Sequence, residues 1–81
     1  MRVRVRLFAS LREAASRSES PLELPEGSTA EAAWQALVSE LPDLARRRPS
    51  LAVAVNRVYA GFETMLREGD EVAFIPPVSG G

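Results

Sequence analysis

The sequence predicts an α+β fold in which one main helix packs on a small mixed sheet. Three observations carry that expectation. Residues 2–8 alternate strictly between charged and apolar side chains until the closing Phe8. Residues 30–41 place apolar side chains at three- and four-residue spacing. Residues 71–75, behind a Gly69-Asp70 turn signal, return to a period of two. These are the periods of a half-buried strand, an amphipathic helix and a closing strand.

Taken in order, Val3, Val5 and Leu7 form one face of the first strand, and Arg2, Arg4, Arg6 and Phe8 the other. The three arginines read as a solvated sheet face rather than a phosphate site. Ser10–Arg17 reads as a short helix with Leu11, Ala14 and Ala15 on its stripe and Ser10 and Glu13 as a cap. Ser18–Ser20 reads as loop. Pro21 then opens an edge strand with Leu22 and Leu24 inward, closed by Pro25. Ser28 with Glu31 is a capping box for the main helix, whose stripe is Ala30, Ala33, Trp34, Leu37, Val38 and Leu41, ended by Pro42. Asp43–Arg48 allows one further turn, with Arg46, Arg47 and Arg48 a solvated basic run. Leu51–Val55 reads as a strand whose faces carry no charge. Asn56-Arg57 follows as a turn in which Arg suits positive φ poorly. Val58 and Tyr59 make a strand fragment, Phe62 and Leu66 pack inward, and Val72 and Phe74 share a face of the last strand. Setting the first and last strands side by side in parallel beneath the helix gives the compact β-grasp roll, a topology that the pattern permits. The expected domain spans residues 1–75, with 76–81 as an extended, flexible tail.

Composition narrows the function. The 81 residues carry ten basic and eleven acidic side chains, 46% are hydrophobic, and the formal charge is −1. One small core fits, and a chain this short hides only roughly 60–65% of the surface of its unfolded form. There is no Cys, no His and no Lys, because every basic residue is Arg. That removes thiol nucleophiles, imidazole bases, both usual zinc ligand types and Schiff-base amines. No metal or cofactor site is expected, and no self-sufficient enzyme. The near-zero charge argues against nucleic acid and acidic membranes as partners. The lack of a long apolar run gives a soluble, cytoplasmic protein as the expectation.

The end of the sequence is its functional signal. After Ile75 it reads Pro76, Pro77, Val78, Ser79, Gly80, Gly81. Pro76 and Pro77 favour a stiff, polyproline-like root. Gly80 and Gly81 present a carboxylate without β-carbons, at the end of a segment that can reach about 18–20 Å. The stretch from Leu66 to Gly81, with its Gly-Asp-Glu-Val and Pro-Pro-Val-Ser-Gly-Gly elements, resembles the C-terminus of molybdopterin synthase small subunits, which are ubiquitin-like sulfur carriers. The likeness extends to Ala9-Ser10-Leu11-Arg12-Glu13 after the first strand and to Ala54-Val55-Asn56.

That resemblance implies that Gly81 is adenylated by an E1-like activating enzyme using ATP and magnesium. A sulfur-donating protein then converts it to a thiocarboxylate. The tail next enters the large synthase subunit and donates sulfur to cyclic pyranopterin monophosphate, building the dithiolene of molybdopterin. It further implies Gly80 as the residue giving clearance, Pro76 and Pro77 as the root, and Phe8, Tyr59 and Ile75 as a hydrophobic docking patch. Asp70 and Glu71 either pair with a partner or cap their turn. Tyr59 departs from the aliphatic residue more usual there. Two alternatives stand: a carrier for another pathway, such as thiamine thiazole synthesis or tRNA thiolation, and a ubiquitin-like modifier or interaction domain. The Pro-Pro step favours the molybdopterin synthase resemblance over a carrier for another pathway.

Overall fold

A computed structural model describes residues 1–77. Five strands, β1 (Arg2–Leu7), β2 (Glu19–Glu23), β3 (Ala52–Val55), β4 (Val58–Ala60) and β5 (Glu71–Ile75), form one sheet in the order β2-β1-β5-β3-β4. Helix α1 (Ala9–Ala15) follows β1, and α2 (Ala30–Glu40) packs on the sheet, followed by a 3-10 segment, Pro42–Ser50. β1 and β5 run parallel, with Val5 opposite Val72 and Leu7 opposite Phe74. The other neighbours are antiparallel. This is the β-grasp roll, with the first and last strands side by side at its centre.

The core lies between the inner sheet face and α2. Val3, Val5 and Leu7 of β1, Val53 of β3, and Val72 and Phe74 of β5 meet Ala30, Ala33, Trp34 and Leu37 of α2. The Trp34 and Phe74 rings meet edge to face with centroids 5.1 Å apart, and Phe62 stacks on Phe74 at 6.1 Å. The alternation of β1 and the stripe of α2 therefore point as expected, except that Val38 and Leu41 are only half-buried.

Local details differ for identifiable reasons. The α2 cap is Thr29, whose Oγ1 accepts from Ala32 N at 3.2 Å; Ser28 Oγ donates instead to Pro25 O. The Ala30 and Glu31 amides donate to the Thr64 and Phe62 carbonyls, so a neighbouring loop completes this helix start. Ser10 caps nothing: α1 begins at Ala9, the Leu11 and Arg12 amides donate to Phe8 O, and Ala14 is exposed. β2 starts at Glu19, two residues before Pro21, which a sheet edge tolerates without its donor. The 3-10 segment is longer than one turn and buries Leu44.

Arg48, near its end, is only partly solvated and has partners. Its guanidinium lies 3.4 Å from the Phe62 ring centroid and donates from Nε to Glu31 Oε1 at 2.7 Å. Gln35 donates to the other Glu31 oxygen at 2.8 Å. The Gln35 hydrogen bond first, and then Arg48, hold the Glu31 carboxyl below its usual range. A carboxyl depressed in the folded state stabilises above its unfolded pKa, and that contribution is lost as pH falls through the folded value. The pair is partly solvated, so Glu31→Gln is expected to cost under about 1 kcal/mol at neutral pH. The cost should shrink in urea titrations as pH falls from neutral through the lowered folded pKa, because the stabilising ionised form is then lost.

Candidate docking site and tail root

Small side chains make the site. On the outer face of the sheet one row crosses four strands: Arg6 of β1 pairs with Ala73 of β5, Ala73 with Ala54 of β3, and Ala54 with Tyr59 of β4. Two methyl groups thus lie between two tall side chains, and the result is an open hollow of about 300 Å³. Phe8 and Ile75 close one end, and Arg57 and Glu71 the other. The uncharged faces of β3 therefore have different roles. Val53 faces the core, and Ala54 is the floor of the hollow rather than part of a second buried layer.

The three residues of the expected patch, Phe8, Tyr59 and Ile75, all line this hollow. Phe8 stands at an elbow. β1 has ended, its own backbone is still extended (φ −124°, ψ 155°), and Ala9 turns into α1 through a left-handed φ of 49°. That break leaves the ring 38% exposed, with the Arg6 guanidinium 5.4 Å from its centroid. Tyr59, on the short edge strand β4, is 74% exposed. Ile75 is half-buried and ends β5.

Two stitched turns set the charged end. Asn56 and Arg57 join β3 to β4 with φ of 51° and 71°, both left-handed, as a tight two-residue hairpin demands. Asn56 N donates to Glu71 O at 2.8 Å, and Glu71 N donates to Asn56 Oδ1 at 3.0 Å. Asn56 Nδ2 donates to Asp70 Oδ1 at 2.9 Å, while Asp70 Oδ2 accepts from Arg67 N at 2.7 Å and closes the Gly69 turn. Asp70 thus caps its turn. Glu71 is largely buried; its oxygens lie 3.8 Å from Arg6 Nη1 and 3.7 Å from Arg57 Nε. Arg6 is consequently only a partly solvated member of its face, and its Nε is buried without a hydrogen-bond partner among the described residues.

β5 runs from Glu71 past the hollow to Ile75 and then into Pro76 and Pro77, of which Pro77 is exposed. Gly80 and Gly81 lie outside the described residues. Sequence reading did not find the roles of Ala54, Ala73, Arg6 and Arg57 in this face. The signal available was an outward alanine in each of two strands, of which β3 ends at a charged turn and β5 begins from one. Among the described residues, no group of three or more His, Cys, Asp or Glu side chains converges on a metal position, and no helix is long and apolar enough to cross a membrane.

The model of the ThiS family matches residues 5–81. The molybdopterin synthase sulfur carrier subunit of Arabidopsis thaliana is 35% identical over 79 residues, covering 98% of this chain and 82% of that protein. The subunit of the same name from Mycobacterium tuberculosis is 34% identical over 82 residues, covering 100% and 99%. Among solved structures, SAMP1 from Haloferax volcanii, a small archaeal modifier protein, matches with a TM-score of 0.91 at 30% identity and covers the whole of both chains.

Proposed function

The chain belongs to the ThiS family of ubiquitin-like sulfur carriers, and on that premise we propose that it is the sulfur-carrier small subunit of a molybdopterin synthase. Its role is that of a carrier and not of a catalyst, in molybdenum cofactor synthesis or a related thiolation pathway. The observation that carries the finer reading is the continuity of β5: the strand that forms one wall of an apolar hollow leads directly into the Pro76-Pro77 root. A partner seated on Phe8, Tyr59 and Ile75 is then placed to receive the residues that follow.

In this reading the Gly81 carboxylate attacks the α-phosphate of ATP on an E1-like enzyme, releasing pyrophosphate and leaving an acyl-adenylate. Sulfide-level sulfur delivered by a donor protein displaces AMP, the acyl C–S bond of the thiocarboxylate forming as the C–O bond to AMP breaks. On the large synthase subunit that sulfur attacks cyclic pyranopterin monophosphate, and water cleaves the acyl–sulfur bond, so that Gly81 returns as a carboxylate. Adenylation is needed because a carboxylate is a poor acyl donor, and AMP is a good leaving group. Gly80 admits the attacking group because it carries no β-carbon. The fold contributes a rigid base, so that the tail alone enters the second enzyme.

The absence of Cys makes the test clean. Incubation with the activating enzyme, ATP and a sulfur donor is expected to make the chain reactive to a thiol-specific label, with a mass gain equal to oxygen replaced by sulfur. Consumption of ATP without labelling would overturn the carrier reading. The name of the Haloferax volcanii structure favours one second reading, attachment to amines of other proteins. Amide-linked conjugates, rather than a thiocarboxylate, would be its product in the same incubation.

A further inference from the structure

We propose that the hollow receives a partner segment that sets an apolar side chain on the Ala54–Ala73 floor and a carboxylate at its edge, against Arg6 and Arg57. The inference rests on the reading of Phe8, Tyr59 and Ile75 as a docking face, and adds the chemistry of what docks.

The floor is two methyl groups from directly paired residues of β3 and β5, flanked by the taller Arg6 and Tyr59. A space of about 300 Å³ over an alanine floor is larger than one apolar side chain needs, so a second group has room beside it. The lining nearest that room is charged. Two guanidinium groups, Arg6 and Arg57, flank the single carboxylate of Glu71, which leaves one net positive charge. Neither ion pair is at hydrogen-bond distance. Arg57 is 84% exposed, so its donors are available to a visitor. Among the described residues the buried Arg6 Nε–H has no acceptor, while the side chain as a whole is 38% exposed, so a visitor can reach the outer guanidinium nitrogens and offset the unmet hydrogen-bonding capacity of the group. A carboxylate answers both features, the net charge and the unmatched donor. It also extends the row of alternating charges, Arg6, Glu71 and Arg57, by one member. A neutral acceptor would answer only the second, and a cationic group only Glu71.

The test is titration calorimetry of the full chain with the large synthase subunit from the same source, at about 0.05 M and about 0.5 M salt. Phe8→Asp reports whether this face docks at all, and unaltered binding there overturns the docking reading itself. Given that Phe8→Asp weakens binding, Arg57→Gln is expected to weaken it roughly fivefold to tenfold at low salt and by less than about twofold at high salt, because the lost attraction is screened. Ala73→Leu fills the floor and is expected to weaken binding at least about tenfold at both salts. Arg57→Gln that binds equally or more tightly overturns the carboxylate and points to a neutral or cationic visitor. Ala73→Leu without effect overturns the floor as a seat. Both side chains lie on the outer face, and the buried Trp34 reports by fluorescence that each variant is folded. Labelling by the activating enzyme and sulfur donor scores the carrier reading separately.

Discussion

Phe74→Ala is expected to remove about 3–5 kcal/mol of folding stability. The ring is fully buried, meets Trp34 edge to face and stacks on Phe62, and stands in β5 opposite Leu7. Truncating a buried Phe to Ala costs about 3–5 kcal/mol, from lost transfer energy and from the cavity left behind. A domain of 81 residues has roughly 4–12 kcal/mol in total at the usual per-residue stability. One side chain thus accounts for a large fraction of the whole. Urea denaturation followed by Trp34, the single tryptophan, measures it directly, because the same contact supplies both the stability and the signal. Tyr59→Ala is the contrast. Its ring is mostly in solvent, and the expected change is within about 0.5 kcal/mol. A Phe74→Ala curve that overlays wild type would contradict the core described above.

The second large effect is on chemistry with no effect on stability. One alanine added after Gly81 is expected to abolish sulfur transfer. The reactive carboxylate moves outward by one residue, about 3.5 Å, and a β-carbon now stands beside it. Misplacing a reacting group by about 1 Å already costs around a hundredfold in rate, so a displacement of several ångströms removes transfer within the sensitivity of a purified assay. The fold is untouched, since β5 ends at Ile75 and six residues separate it from the addition. Urea curves of the extended and native chains should superpose. Full transfer by the extended chain, with intact mass showing no trimming, would contradict Gly81 as the reacting residue.

The fold was legible where one physical cue acted alone. The charge alternation of β1 and the stripe from Ala30 to Leu37 each set which side faces the core, and pairing the first and last strands was the compact way to cover both. Reading failed where a residue's partner is far away in sequence. Ser28 and Thr29 are both good caps. Which one is used depends on the backbone of residues 62–64, whose carbonyls take the first amides of α2. Arg48 looks solvated in a run of three arginines until Phe62 and Glu31 are brought beneath it. The hollow was hidden for the same reason. Ala54 and Ala73 are unremarkable in their own strands, and a notch exists only because the register sets them opposite each other. The turn at Asn56-Arg57 was readable despite its unfavourable arginine, whose left-handed backbone is held by the Asn56 bonds to Asp70 and Glu71.

The adjacency of β1 and β5 also has a consequence for how the molecule comes into being. The two central strands are the first and the last of the five in chain order, so the sheet has no centre until residues 71–75 are available. Contacts this distant in sequence close late and slowly, because the loop entropy must be overcome before they form. A nascent or prematurely ended chain lacking residues 71–75 has strands β2 and β1 on one side and β3 and β4 on the other, with nothing to join them. Such a chain exposes its apolar faces and is material for proteolysis rather than a folded competitor. A folded copy is therefore one whose synthesis has already passed Ile75.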